Sequence, residues 1–241
     1  MIKKNKITLV IPSRDEGRGL LKLIARIPSY VDEILVVDNC SKTNPNIFLK
    51  NIDRVRVVRE TRVDGRNIGY GYAHQTGISE ASGDIIVAMD GDATYPVSGI
   101  KKAVDELLSQ KLDLILCSRF PLNTEKAVSW FRKLGVWILN TEAKLLFGYK
   151  GQDILSGMWA IRKNVAMSMS LHEGGWNFSP EIKLSALTNK NVKLGEVHID
   201  HYVRDYGKSK QVLWRTGLEH LLYILWRWSA NIVEYSYEKA Y

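Results

Sequence analysis

Five short runs of large apolar residues, Ile7 to Ile11, Ile34 to Val37, Val55 to Val58, Ile85 to Met89 and Leu112 to Leu116, recur along the first half of the chain. Each has strand length and is nearly continuous rather than alternating, which is how a strand buried on both faces reads. Between them lie segments with apolar residues at helical spacing, such as Leu20 to Ile27 and Val97 to Leu108. Strands that alternate with helices predict βαβ units, an α/β fold and a mostly parallel central sheet flanked by helices. After Phe120 the pattern changes. Trp130, Phe131, Val136, Trp137, Ile138, Leu145, Leu146 and Phe147 predict helical segments rich in aromatics. A strand candidate at Ile154 to Ile161, a Gly174-Gly175 turn, a helix through Glu181 and a strand near Val192 to Val197 follow. The chain from Gln211 reads as one long amphipathic helix. No repeat, low-complexity tract or linker divides the sequence, so one domain over 1–241 is expected, with halves of about 1–120 and 121–241.

The chain has 241 residues, 45% of them apolar and 25% charged, enough for a full core and unlike a disordered segment. A net charge of +8 favours acidic partners: nucleotide phosphates, nucleic acid or anionic lipid. Two cysteines, Cys40 and Cys117, lack metal-ligand spacing, and the start Met1-Ile2-Lys3-Lys4 is not a secretory signal. A reducing, cytoplasmic location is therefore expected. No stretch approaches the roughly 20 uninterrupted apolar residues of a spanning helix.

The chemistry concentrates at strand ends. Ile85 to Met89 runs into Asp90-Gly91-Asp92, two carboxylates one residue apart where a parallel sheet binds ligands. Mg²⁺ or Mn²⁺ carrying a diphosphate suits that pair, because hard divalent cations are commonly held by one or two carboxylates plus substrate phosphates. Asp-Gly-Asp is also ordinary turn chemistry. An EF-hand loop from Asp90 is excluded, since its twelfth position is Lys101 rather than Glu. The other strands end in Pro12-Ser13-Arg14-Asp15-Glu16, Val37-Asp38-Asn39-Cys40-Ser41 and Ser118-Arg119-Phe120. The Gly65 to Gly71 stretch lacks the G-x-G-x-x-G spacing and is read as backbone that approaches a ligand closely.

In this order, these segments resemble the family-2 glycosyltransferases with the GT-A fold, most closely the dolichyl-phosphate mannose and glucose synthase branch. The further markers are Gly65-Arg66-Asn67-Ile68-Gly69-Tyr70-Gly71, Asp153-Ile154-Leu155-Ser156-Gly157, Phe178-Ser179-Pro180-Glu181 and Arg204-Asp205-Tyr206-Gly207-Lys208-Ser209-Lys210. The resemblance implies a Rossmann-like GT-A sheet and an inverting, metal-dependent hexosyltransferase. It would move a hexose from a GDP- or UDP-linked sugar to a polyprenyl phosphate. Pro12, Glu16 and Asp38 would line the nucleoside pocket, and Gly65, Arg66 and Ser156 would contact substrate. Asp90 and Asp92 would hold Mg²⁺ or Mn²⁺, Asp92 most directly. Arg119, Arg132, Arg204 and Lys210 would gather around donor and acceptor phosphates, and Glu181 would position a group or transfer a proton. The sequence departs from the pattern at Arg14-Asp15, Asn39-Cys40, Thr94 and Trp159.

Trp130, Phe131, Trp137 and Phe147 interleave with Arg132, Lys133 and Lys144, the composition of interfacial helices. The C-terminal helix places Trp214, Leu218, Leu221, Leu222, Leu225 and Trp228 near one stripe, which fits a membrane face, a helical core or a homo-oligomer seam. Peripheral attachment to an anionic membrane surface is expected. A soluble or polymeric acceptor and a sugar-nucleotide pyrophosphorylase remain alternatives within enzymes, and a basic nucleic-acid-binding module remains one outside them. Nucleic acid is not the expected partner, because the cations interleave with Asp and Glu instead of forming a stripe with stacking aromatics.

Overall fold

The computed structural model describes residues 2, 4–123, 128–204 and 211–240. Seven strands alternate with eight helices among them. In chain order these are β1 (Ile7–Ser13), α1 (Arg18–Ile24), β2 (Glu33–Asn39), α2 (Asn46–Leu49), β3 (Val55–Glu60), α3 (Tyr70–Glu80), β4 (Ile85–Ala88) and α4 (Ser98–Ser109). They continue with β5 (Leu114–Ser118), α5 (Trp130–Phe147), β6 (Trp159–Arg162), α6 (Lys163–Ser168), α7 (Phe178–Thr188), β7 (Leu194–His198) and α8 (Leu213–Ala240).

The strands form one sheet in the order β3-β2-β1-β4-β6-β5-β7. β1, β2, β3 and β4 run parallel, β7 is parallel to β5, and β6 alone is antiparallel to both of its neighbours. The mostly parallel sheet expected from the sequence is therefore present, with one reversed strand inside it. Alternate residues of each strand enter different cores. Ile7, Leu9, Ile11, Ile85 and Val87 pack on one face with α1 and α4, through Leu20, Leu23, Ile100 and Val104. Val10, Ile86, Ala88, Leu114 and Leu116 pack on the other with Leu139, Phe178, Ile182 and Ile224 from α5, α7 and α8. Burial on both faces is the reason the runs of β1, β2 and β4 are nearly continuously apolar.

The predicted strand at Ile154 to Ile161 begins only at Trp159, and the one at Leu112 to Leu116 begins at Leu114. Ile154 is fully buried all the same. The sheet order reverses between β1 and β4, so the loops after β1, β2 and β4 open on the edge where such sheets bind ligands.

Helix α3 lies flat on the sheet because Gly77 has no side chain; a Cβ there would stand 2.3 Å from Val10 Cγ1. In an open helix Gly→Ala would gain up to about 1 kcal/mol. Here overpacking, about 1–3 kcal/mol, outweighs it. Gly77→Ala should therefore lower the denaturant midpoint at unchanged m-value, whereas a raised midpoint would mean that α3 shifts freely on the sheet.

Candidate active site

β4 is held to its end by Met89 N–H donating to Val10 O at 3.1 Å, and the chain then turns through Asp90, Gly91 and Asp92. Ala93 at φ 61° completes a turn that brings Thr94 back onto Asp92. Asp92 Oδ1 accepts from Thr94 N at 3.1 Å and Thr94 Oγ1 at 2.7 Å, while Oδ2 lies 2.5 Å from Arg204 Nη2. Asp90 accepts from the Tyr70 hydroxyl at 3.3 Å. Its carboxyl is pushed up to about 7, by burial first and then by the charge of Asp92. Two carboxylates crowded in a low-dielectric pocket attract a cation. Among the described residues no three His, Cys, Asp or Glu converge. Two carboxylates with room for phosphate and water fit Mg²⁺ or Mn²⁺ better than a metal that needs an all-protein cage.

Opposite the pair sit the guanidinium groups. Arg119, at the end of β5, binds Asp153 in bidentate fashion, Nε to Oδ2 at 2.6 Å and Nη2 to Oδ1 at 2.8 Å. Burial opposes ionisation of Asp153, but the Arg119 charge outweighs it and holds the carboxyl below its usual range. The loop carrying Asp153 is anchored from α7 by Lys183, whose Nζ donates to Ile154 O at 2.6 Å and Ser156 O at 2.8 Å. Lys183 is fully buried, and that burial pushes its ammonium down to about 7. Arg132, in the first turn of α5, donates to Gln211 Oε1 at 2.9 Å. Its pKa is lowered by burial and then by Arg119 and Arg204, so like charges crowd where an anion would relieve them.

A cavity of about 550 Å³ joins these groups. Pro12, Glu16, Asp90, Asp92, Arg119, Arg132 and Arg204 all line it, from five distant stretches of sequence. Asp38, Gly65, Arg66, Ser156 and Glu181 are not among the described residues that line it. Asp38 is buried beneath the pocket, paired with Arg59 and accepting from Ser41 N at 3.3 Å, while its neighbour Asn39 reaches the cavity. Arg66 pairs with Asp64 and Glu219, and Ser156 Oγ lies 3.3 Å from the Tyr95 hydroxyl. A Cβ on Gly65 would meet nothing within 4 Å. The close approaches of that glycine stretch are to the protein itself: a Cβ would lie 2.3 Å from Asn39 Nδ2 at Gly69 and 1.9 Å from Glu173 O at Gly71. Glu181 accepts from His172 N at 2.7 Å and Glu173 N at 3.0 Å, so its carboxylate anchors a loop. Burial is the first cause of its raised pKa. Lys210 lies outside the described residues.

Three residues of this site carry no role in the reading of the sequence: Tyr70 and Asp153, which stand inside marker segments, and Lys183. Lys183 does leave a signal, as the single cation of α7, set between Ile182 and Leu184.

Breaking a buried ion pair from one side costs about 3–5 kcal/mol, because the other charge remains buried and unpaired. Asp153→Ala should therefore destabilise the fold strongly in denaturant unfolding, and Asp153→Ala/Arg119→Met should recover most of the loss. A double variant as unstable as the sum of the two single ones would contradict the pairing.

Residues 8–169 match the model of the family described as Glycosyl transferase family 2. Among curated proteins, the chain is similar to the dolichol-phosphate mannosyltransferase of Pyrococcus furiosus, 29% identical over 94% of this chain and 65% of that protein. It is also similar to the dodecaprenyl-phosphate galacturonate synthase of Rhizobium johnstonii, 25% identical over 89% of this chain and 64% of that protein. The chain thus spans about two thirds of the length of these relatives. Among solved structures it resembles glucosyl-3-phosphoglycerate synthase from Mycobacterium tuberculosis. With uridine diphosphate the TM-score is 0.73 at 19% identity, covering 94% of this chain and 81% of that one; with Mg²⁺ and uridine diphosphate it is 0.69 at 19% identity, covering 93% and 79%. That likeness identifies the fold as GT-A. With the family model covering most of the sheet and the cleft at its edge, the chain belongs to glycosyl transferase family 2.

Proposed function

We propose that this chain is an inverting hexosyltransferase that moves a sugar from a nucleotide sugar to a polyprenyl phosphate, with Mg²⁺ or Mn²⁺ held by Asp90 and Asp92. The observation that carries the reading is the continuity of one cleft. Its polar end holds the carboxylate pair with Arg14, Arg119, Arg132 and Arg204, and its other end is an apolar groove between α5 and α8, lined by Leu134, Gly135, Ile138, Leu213, Gly217 and Leu218. A phosphate on a hydrocarbon tail matches both ends. Curated relatives named for dolichyl and dodecaprenyl phosphates, and a fold neighbour holding Mg²⁺ and uridine diphosphate, support the same assignment.

In this reading the acceptor phosphate oxygen attacks the anomeric carbon while the bond from that carbon to the diphosphate oxygen breaks, which inverts the centre. The acceptor is already ionised, so no strong general base is required. That suits Glu181, whose oxygens are both engaged by backbone N–H groups. Arg119, held rigid by Asp153, faces the developing diphosphate charge, and preorganised donors of this kind stabilise a transition state without reorganising. Arg132 and Arg204 gather the acceptor phosphate, with guanidinium forks suited to its oxygens. The divalent cation, when bound, supplies further charge neutralisation for the leaving diphosphate.

The outer faces of α5 and α8 support a peripheral membrane contact. Trp130 is 74% exposed, Trp137 65% and Trp214 67%, with Leu218, Leu222 and Leu225 also exposed. No helix of the described residues is long and apolar enough to cross a membrane. Large amphipathic aromatics beside Lys133 and Lys144 suit a headgroup interface.

Two outcomes are expected. With Mn²⁺ or Mg²⁺, a panel of nucleotide sugars and a short polyprenyl phosphate, mass spectrometry should identify a glycosylated lipid phosphate, and Asp92→Asn should lower turnover by at least about 100-fold. Transfer to a soluble sugar or glycerate acceptor with none to the lipid phosphate would contradict the assignment. Gly135 and Gly217 face open space in the groove. Gly217→Leu should therefore raise the KM for polyprenyl phosphate about 10-fold or more, consistent with blocking one or two apolar contacts, at unchanged nucleotide affinity. An unchanged KM would place the lipid elsewhere.

A further inference from the structure

Asp90 presents a carboxylate from a half-buried position, and its orientation depends on residues outside its own loop. Tyr70, the first residue of α3, lines the cleft and donates its hydroxyl to Asp90 Oδ1 at 3.3 Å. The ring is fixed by its neighbours. Trp176 lies against it with centroids 4.8 Å apart, and His74, one turn further along α3, meets it edge-on at 4.6 Å. His74 is itself fully buried and stacked on Phe178 at 4.8 Å and 2°.

Gly157 closes the arrangement from the other side. A Cβ there would stand 2.9 Å from Asp90 Oδ2 and 2.9 Å from the Tyr70 hydroxyl oxygen, so only glycine leaves room for both. The start of α3 is pinned as well, because Gly71 N and Tyr72 N both donate to Gly174 O, at 2.9 and 3.2 Å. The loop that carries Gly174 is held in turn by Glu181, through the N–H groups of His172 and Glu173. A chain of fixed contacts thus runs from Glu181 through the 172–174 loop and Tyr70 to Asp90.

We infer that Tyr70 is a positioning residue, whose hydroxyl, wedged by Gly157, holds the Asp90 carboxylate in the orientation that faces a divalent cation together with Asp92. This inference rests on the cation role proposed for that pair. A phenol is a suitable orienting group because it donates one hydrogen bond and adds no charge that would compete with the metal. Partners that orient a metal's ligands are typically worth 10–100-fold in metal affinity.

The test is a Mn²⁺ titration followed by the electron paramagnetic resonance signal of free Mn²⁺. It uses the full chain with and without uridine or guanosine diphosphate, alongside calorimetry of the same nucleotides without metal. Tyr70→Phe should bind Mn²⁺ about 10-fold more weakly than wild type, at the lower end of that range, while metal-free nucleotide affinity stays within about twofold. Gly157→Ala, which displaces Asp90 and Tyr70 together, should lose at least as much. If wild type binds Mn²⁺ and Tyr70→Phe matches it, the positioning role is wrong and the cation reading stands. If Tyr70→Phe loses Mn²⁺ and metal-free nucleotide affinity alike, Tyr70 serves the pocket as a whole and the inference is overturned. If wild type binds no Mn²⁺ even with nucleotide, the cation role of Asp90 and Asp92 falls, and this inference with it.

Discussion

Two carboxylates forced together where a buried strand ends are the constraint around which the site is arranged. β4 is buried on both faces, so its end delivers the half-buried Asp90 and the buried Asp92 together to the cleft. Like charges in low dielectric repel, and the raised Asp90 pKa reflects burial and that repulsion. The structure answers with Tyr70 on Asp90 and with Thr94 and Arg204 on Asp92. What results is a carboxylate pair met by Arg204, with Arg119 and Arg132 lining the same cleft. Such an arrangement suits a cation and a diphosphate arriving together.

The cationic wall has its own scaffold. Arg119 owes its direction to Asp153, Asp153 its loop to Lys183, and Lys183 its place to the apolar packing of α7 around it. A buried polar network of this kind rigidifies when every member is satisfied and is costly when one is lost. The same loop carries Gly157, which leaves space for Asp90, and its N–H donates to the Tyr95 hydroxyl at 2.8 Å. One short segment therefore couples both walls of the cleft, so substitutions in α7, remote in sequence from the carboxylates, are felt at the chemistry.

The strands were legible because burial on two faces leaves a nearly continuous apolar run, as in Ile34 to Val37 and Ile85 to Ala88. The same criterion misplaced Ile154. That residue is equally buried, but Lys183, not a neighbouring strand, satisfies its carbonyl, and an apolar run does not distinguish the two. Asp90, Asp92 and Arg119 were legible from strand-end loops. Tyr70 and Asp153 were not, since each acquires its role only through a partner 20 or 34 residues away. Glu181 shows a carboxylate whose surroundings the sequence does not record. A carboxylate near the start of a helix reads as a chemical group, whereas its two oxygens are spent on loop N–H groups. The glycines at 69 and 71 are likewise demanded by Asn39 and Glu173, contacts no local pattern records.

The central claim is that the carboxylate pair at the end of β4 holds a divalent cation that carries the nucleotide. Crystals grown with Mn²⁺ and a nucleoside diphosphate, measured at the manganese absorption edge, test it directly. An anomalous peak between the diphosphate and Asp92, with the Arg204 guanidinium moved off Asp92 Oδ2, is the expected result. Nucleotide density in the cleft with no anomalous peak beside Asp92, and Arg204 still paired to it, would contradict the account.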